Sequence, residues 1–217
     1  LTLREDIKMP QAKAITLTPQ ANDVDYISTT ESIADPWVLQ LDGVTTLTQP
    51  QHVTITCTSD ESGATFTVVG TDRYGNALTE AITGPNATVV VGTKNFATVT
   101  SITSTHDATG VTAGVNGTCE SQWYVLNYRG NDFNVGIGLD ITTAGAGTAG
   151  VEHTFNNVLT QGFLEDDATV HAHDTVTGKT ANFDGNYTNP PVAIRLAISA
   201  FTSGSITLRI VQSGSGS

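Results

Sequence analysis

The stretch ATFTVVGTDRYGNALTEAITGPNATVVVGTKNFATVTSITS, Ala64 to Ser104, writes short strands and their turns with almost nothing else. In Ala64 to Val69 and Leu78 to Thr83 the apolar residues mostly alternate with Thr or Glu, the period of two that marks strands buried on one face. Thr71-Asp72-Arg73-Tyr74-Gly75-Asn76 between them is a turn signal, and Gly84-Pro85-Asn86 is a second. Thr88 to Val91, a break at Gly92-Thr93 and the longer alternation Phe96 to Ile102 complete a run of antiparallel strands.

The pattern extends in both directions. From Asp35-Pro36 onward come Trp37 to Leu41, a turn at Asp42-Gly43, Val44 to Leu47 and His52 to Thr58. Strands at this spacing are the signature of a sandwich or barrel. A first β domain, residues 35–118, closes in the Gly-rich Gly110 to Thr118, too rich in Gly to read as a strand with certainty. A second, residues 119–217, opens with Gln122 to Asn127 and continues with Phe133 to Ile141, where every odd position is apolar. Gly136 and Gly138 on its opposite face suggest the close approach of another backbone or subunit. Thr142 to Gly150 reads as a hairpin turn, with Val151 to Phe155 as the return strand. Gly162 to Asn189 is a long polar excursion. Ala193 to Phe201 and Ser205 to Gln212 form a closing hairpin, and Ser213 to Ser217 is a flexible tail. Residues 1–34 carry scattered apolar side chains along a polar chain interrupted by Pro10 and Pro19, too few for a core, and read as an extended arm lying along a neighbour. The expected class is therefore all-β: two β-sandwich-like antiparallel domains with an extended N-terminal arm. The expected cores are Ile55, Phe66, Val68, Ile82, Val99 and Ile102 in the first domain. In the second they are Val135, Ile137, Leu139, Phe155, Ile194, Leu196, Ile206 and Leu208.

Composition agrees. Thr makes up roughly one residue in six and strong helix formers are sparse. A length of 217 residues allows one large core or two small ones. The net charge of −12, with nine Lys and Arg, argues against direct nucleic-acid binding, which depends on cationic neutralisation of phosphates; the same acidity also serves simply to keep a β protein soluble. No stretch approaches the ~20 apolar residues of a membrane helix, and no signal-peptide pattern opens the chain. Cys57 continues the apolar face of Val53 and Ile55 and reads as a buried free thiol. A Cys57–Cys119 bridge, contributing ~4 kcal/mol if unstrained, is the minority alternative.

Three groups of residues invite a chemical reading. Glu165-Asp166-Asp167 with His171-Ala172-His173-Asp174 is the densest cluster of reactive types. Two His one residue apart on a strand share a face and could hold a metal with a carboxylate, and three adjacent carboxylates could take Ca2+. Neither matches a defined spacing motif, so the stretch reads as an exposed acidic loop, with no metal or other cofactor expected. Trp37, Trp123, Tyr124, Tyr128 and Phe133 could stack on sugars; their Val- and Leu-rich surroundings favour a core or a subunit interface. Gly145-Ala-Gly147-Thr-Ala-Gly150 has dinucleotide-loop spacing but joins two strands and opens no helix. Without a nucleophile elbow or triad pattern, no catalytic residue is assigned and the chain is not expected to be an enzyme.

One resemblance adds to this reading. Gly70 to Asn86, GTDRYGNALTEAITGPN, followed by Lys94 to Ile102, KNFATVTSI, resembles sequences of virion structural proteins of tailed bacteriophages. Val151 to Phe155, Asp184 to Tyr187, Pro191 to Arg195 and Ile206 to Gln212 are similar to the remainder of such proteins, so the likeness covers roughly residues 50 to 212. It implies a noncatalytic structural protein of the virion, made in the host bacterial cytoplasm. A small acidic chain of this kind fits a capsid decoration or cement protein, a homotrimer bound to the major capsid protein or another virion protein. A tail or head–tail component and a sugar-binding adhesion module are the alternatives.

Overall fold

The computed structural model describes residues 12–129, 133–143 and 145–212. The strands in chain order are β1 (Lys13–Leu17), β2 (Asp23–Ile33), β3 (Val38–Leu39), β4 (Thr46–Gln51), β5 (Val53–Thr56), β6 (Thr65–Thr71), β7 (Ala77–Thr83), β8 (Val89–Val91) and β9 (Phe96–Thr103). They continue with β10 (Ala108–Val115), β11 (Cys119–Glu120), β12 (Tyr124–Val125), β13 (Val135–Ile141), β14 (Gly147–Thr154), β15 (His171–Ala172), β16 (Phe183–Tyr187), β17 (Ala193–Phe201) and β18 (Ile206–Gln212). Among the described residues the helical content is one 3-10 turn, Glu165–Asp167, and no helix is long and apolar enough to cross a membrane. The chain is all-β, built of antiparallel sheets.

Four sheets make two sandwich-like units. In the first, β2-β10-β5-β8 faces β3-β9-β6-β7, with β4 also paired to β9; in the second, β1-β18-β13-β16 faces β11-β17-β14-β15, with β12 also paired to β17. Each pair of sheets encloses its own apolar cluster, because alternation puts every second side chain on the inner face. Ile55, Phe66, Val68, Ile82, Val99 and Ile102 lie in the first core as expected, and Val135, Ile137, Leu139, Ile194, Leu196, Ile206 and Leu208 in the second. Phe155 does not. It is 58% exposed, because β14 ends at Thr154 opposite Ala193, the first residue of β17, and no strand lies beneath the next position. Cys57 and Cys119 are free thiols buried in different cores, so they form no bridge. Burial pushes the Cys57 thiol up to about 11 and the Cys119 thiol up to about 12.

Three further readings change. Residues 12–34 are not an arm lying outside the two units. β1 pairs with β18 in the second unit and β2 with β10 in the first, placing Leu17 in one core and Ile27 and Ile33 in the other. A few apolar residues suffice when the strand borrows its core from sheets built elsewhere. Leu1 to Gln11 and Ser213 to Ser217 lie outside the described residues. The chain thus crosses between the units twice, at 18–22 and 116–118. The crossings run side by side: a Cβ on Gly117, whose φ is +78°, would stand 3.3 Å from Gln20 O and 2.7 Å from Phe201 Cβ. Next, the loops after β13 and β17 are arches between opposite sheets, not hairpins, since β13 pairs with β16 and β18 while β14 pairs with β15 and β17. Finally, the Gly-rich segment near 110 is an interior strand, β10, between β2 and β5. Among the described residues Gly136 and Gly138 meet only ordinary contacts, the nearest atoms to an added Cβ being Val211 O at 3.8 Å and Arg209 Cβ at 3.9 Å.

Candidate functional site

The densest polar chemistry lies in the seam between the units, where the β6–β7 turn of the first reaches the second. Asp72 closes that turn by accepting from Tyr74 N, Asn76 N and Asn76 Nδ2, and Gly75 supplies its positive φ of +81°. So held, the turn presents Arg73. Its Nε donates to Glu165 Oε2 at 2.9 Å and its Nη2 to the carbonyl of Glu120 at 2.6 Å. Tyr74 Oη adds a contact to Glu165 Oε1 at 3.3 Å. Beside it, Glu120 Oε2 meets His52 Nε2 at 3.1 Å and accepts from Asn95 Nδ2 at 2.6 Å, while Glu120 N donates to Asn95 Oδ1. One short strand, β11, therefore carries a glutamate held by three segments of the first unit, its carboxylate by His52 and Asn95 and its carbonyl by Arg73.

The two carboxylates feel this environment differently. Burial opposes ionisation of Glu120, yet the hydrogen bond and charge of His52, with Arg195 and Asn95, outweigh it and hold the group below its ordinary value. At Glu165 burial dominates, and the carboxyl is raised despite Arg73. A cavity of about 480 Å3 opens between them, lined by Thr93, Asn95, Glu120, Glu165, Asp167 and Arg195 among others. Arg195 in turn binds Glu152 Oε2 at 2.8 Å and lies 4.6 Å above the Trp123 ring. A neighbouring groove of about 390 Å3 is lined by Tyr74, Asn76, Trp123, Leu159, Phe163 and Leu164 among others. Leu159 stands 73% exposed on its wall, and the buried Trp123 Nε1 has no hydrogen-bond partner among the described residues.

The reading of Glu165 to Asp174 as an exposed acidic loop holds for Asp167, His171 and Asp174, which are exposed, and fails at two positions. The side chain of Glu165 is only 11% exposed, and His173 is buried. His173 Nδ1 accepts from the backbone N–H of Thr175 and Val176, leaving Nε2–H to donate to Asn186 O at 3.3 Å. With both ring nitrogens engaged it has no lone pair for a metal. His171 instead stacks on His153, whose Nδ1 lies 3.2 Å from Tyr187 Oη. Burial, then the nearby His171 and His173, hold His153 below its ordinary value. Among the described residues no three His, Cys, Asp or Glu side chains are placed to hold a metal ion.

The five aromatic residues do not converge. Trp37, 38% exposed, bonds Asp107 through Nε1 in the first unit, whereas Trp123, Tyr124 and Phe133 belong to the second, and Tyr128 lies beneath Arg129. Sequence reasoning missed His52, Arg73, Asn95 and Glu120. The available signal was a cation at the tip of a tight turn in a chain with nine Lys and Arg in all. No protein-family model, curated protein or solved structure matches the chain.

Proposed function

We propose that this chain is a noncatalytic structural protein of a tailed-phage virion, acting as a capsid decoration or cement protein. The observation that carries the reading is the seam. Its charged side chains are engaged with one another across the two units, so they act as struts that hold two sandwiches together. A surface protein that stabilises a shell needs such internal bracing, and it stabilises its partner by binding the assembled state alone. The resemblance of residues 70–102 to virion proteins supports the same reading, and the charge of −12 suits a position away from packaged nucleic acid. Quantitative mass spectrometry of purified virions tests it. On the order of hundreds of copies per particle supports a head protein, about six or twelve moves it to the tail or neck, and absence from virions overturns the proposal.

A second reading, a sugar-binding module, is favoured by the groove lined by the aromatic side chains of Tyr74, Trp123 and Phe163. Glycan-array binding that is lost in Trp123→Ala would support it, and an array without signal would remove it.

A further inference from the structure

Sheet edges offer unpaired backbone groups to other chains, and proteins protect them by shortness, charge, proline, irregularity or cover. Almost every edge here is protected. β3, β11, β12 and β15 have two residues each, and β8 has three. β4 contains Pro50 and a register shift against β9. β1 opens on Lys13. β2 carries Asp23, Asp25 and Glu31, has register shifts against β10, and is covered where Gly43 N and Val44 N bond Ile27 O and Tyr26 O. β16 carries Asp184 and is covered by His173 at Asn186 O.

Among the described residues β7 is the exception. It runs seven residues and pairs with β6 without a shift. Gly84 N bonds Ala64 O and Asp72 N bonds Asn76 O, each to the residue directly opposite. Those bonds set the parity of the ladder: Leu78, Glu80 and Ile82 bond to β6, so the N–H and C=O of Ala77, Thr79, Ala81 and Thr83 point outward. All four are exposed, small and uncharged. The one charge, Glu80, is buried and accepts from Thr93 N, Thr93 Oγ1 and Lys94 N of the turn beneath.

We propose that β7 is a docking edge for a second copy of this chain, pairing antiparallel with its own β7 about a two-fold axis at Glu80. The strand is self-complementary under that operation. Ala77 falls opposite Thr83 and Thr79 opposite Ala81, each small side chain against a β-branched one, while Leu78 falls opposite Ile82 and continues the apolar row. The two Glu80 side chains meet at the axis as like charges, a cost to the pairing that is limited because each carboxylate is already held by its own 93–94 turn. Apart from this pair, the outward row suits the approach of a second copy. Two copies of net charge −12 repel, and they approach at least cost where the outward residues carry no charge. One strand pair falls below the ~1,200 Å2 of stable interfaces, so the dimer is a weak one, formed at micromolar or higher concentration. The inference does not depend on the virion reading.

Sedimentation velocity from about 10 μM to about 500 μM, joined to amide hydrogen exchange on the same samples, tests the proposal. The expected result is a mass rising toward twice the monomer, more so at high salt because repulsion is screened. Amides of Ala77, Thr79, Ala81 and Thr83 should gain at least ~10-fold protection with concentration, while Leu78, Glu80 and Ile82 stay protected throughout. Thr79→Lys with Ala81→Lys, which sets Lys against Lys, should restore the monomer at unchanged melting temperature. If that variant fails to fold, the alternating protection in the unmodified protein still decides. A monomer at every concentration, a dimer that survives the double substitution, salt-weakened association, or protection that does not alternate would each overturn the proposal.

Discussion

Most connections in both units cross between facing sheets, and one closure in each shows two ways of making the same sandwich-like form. In the first, Asp72 ties the β6–β7 turn to its own backbone, and the chain returns into the sheet it left. In the second, the arches after β13 and β17 hold each other: Thr142 N and Oγ1 bond Ser205 O, Ser205 N bonds Thr142 Oγ1, and Thr202 N bonds Ala146 O. A hairpin closes by contacts a few residues apart, whereas a pair of arches needs segments some sixty residues apart to meet first. The difference teaches that one alternating pattern serves either connection. Both units depend on distant sequence, the first through β2 against β10 and the second through β1 against β18.

Truncation strains that comparison hardest. Deleting residues 1–34 removes β1 and β2 together, with Leu17, Ile27 and Ile33. Each buried side chain is worth ~2–5 kcal/mol, and the total rivals the ~5–15 kcal/mol stability of a domain. No folded protein is expected. Deleting residues 1–22 alone should spare the first unit and lower only the transition of the second, seen as a split in calorimetry. A uniform loss would show that the units do not melt apart.

Core truncation asks the same question locally. Phe66→Ala should cost the first unit ~3–5 kcal/mol and Leu196→Ala the second ~2–5 kcal/mol, since both residues are fully buried. Denaturant melts followed by hydrogen exchange in each core should locate each loss. If either variant loosens both cores equally, the seam welds the units into one cooperative body.

The seam itself gives a smaller, pH-dependent effect. Glu120→Gln should cost ~1.5–3 kcal/mol at neutral pH, the worth of hydrogen bonds to a charged group. Because its folded value is lowered, Glu120 contributes fully above its ordinary 4.5, and the contribution disappears as pH falls through the lowered value. Glu165 has the opposite sign: its folded value is raised, so stability falls as pH climbs from 4.5 through that value. Glu165→Gln should therefore change stability by less than ~1 kcal/mol at neutral pH, where lifting the cost of a buried charge offsets the weaker partner left for Arg73. Urea midpoints against pH for both variants would check this, and equal losses would break the distinction.

The smallest effect belongs to the second unit alone. His153 is held below its ordinary 6.5, so the folded state resists protonation and stability is lost as pH falls from 6.5 through the lowered value. His153→Gln keeps an acceptor for Tyr187 and should flatten the slope of melting temperature against pH in the second transition only. An unchanged slope would shift the pH dependence to other groups.

By itself the sequence determined that the chain is β throughout, where most strands lie and which faces are buried, because a period of two depends only on neighbouring residues. It marked the Asp72–Asn76 turn and the buried Cys57 for the same reason. Which strand each would pair with was left to the tertiary structure, since alternation is identical for a hairpin and an arch. That is why β1 and β2, read as an arm, became members of two different sheets. The seam was equally invisible: Arg73, Glu120 and Glu165 lie about 50 to 90 residues apart in sequence and acquire meaning only when two finished sandwiches bring them within hydrogen-bond reach. Burial at the ends of strands and in the loops, which made Glu165 a strut and left Phe155 on the surface, is set by what packs above the side chain, and alternation within a strand does not reach it.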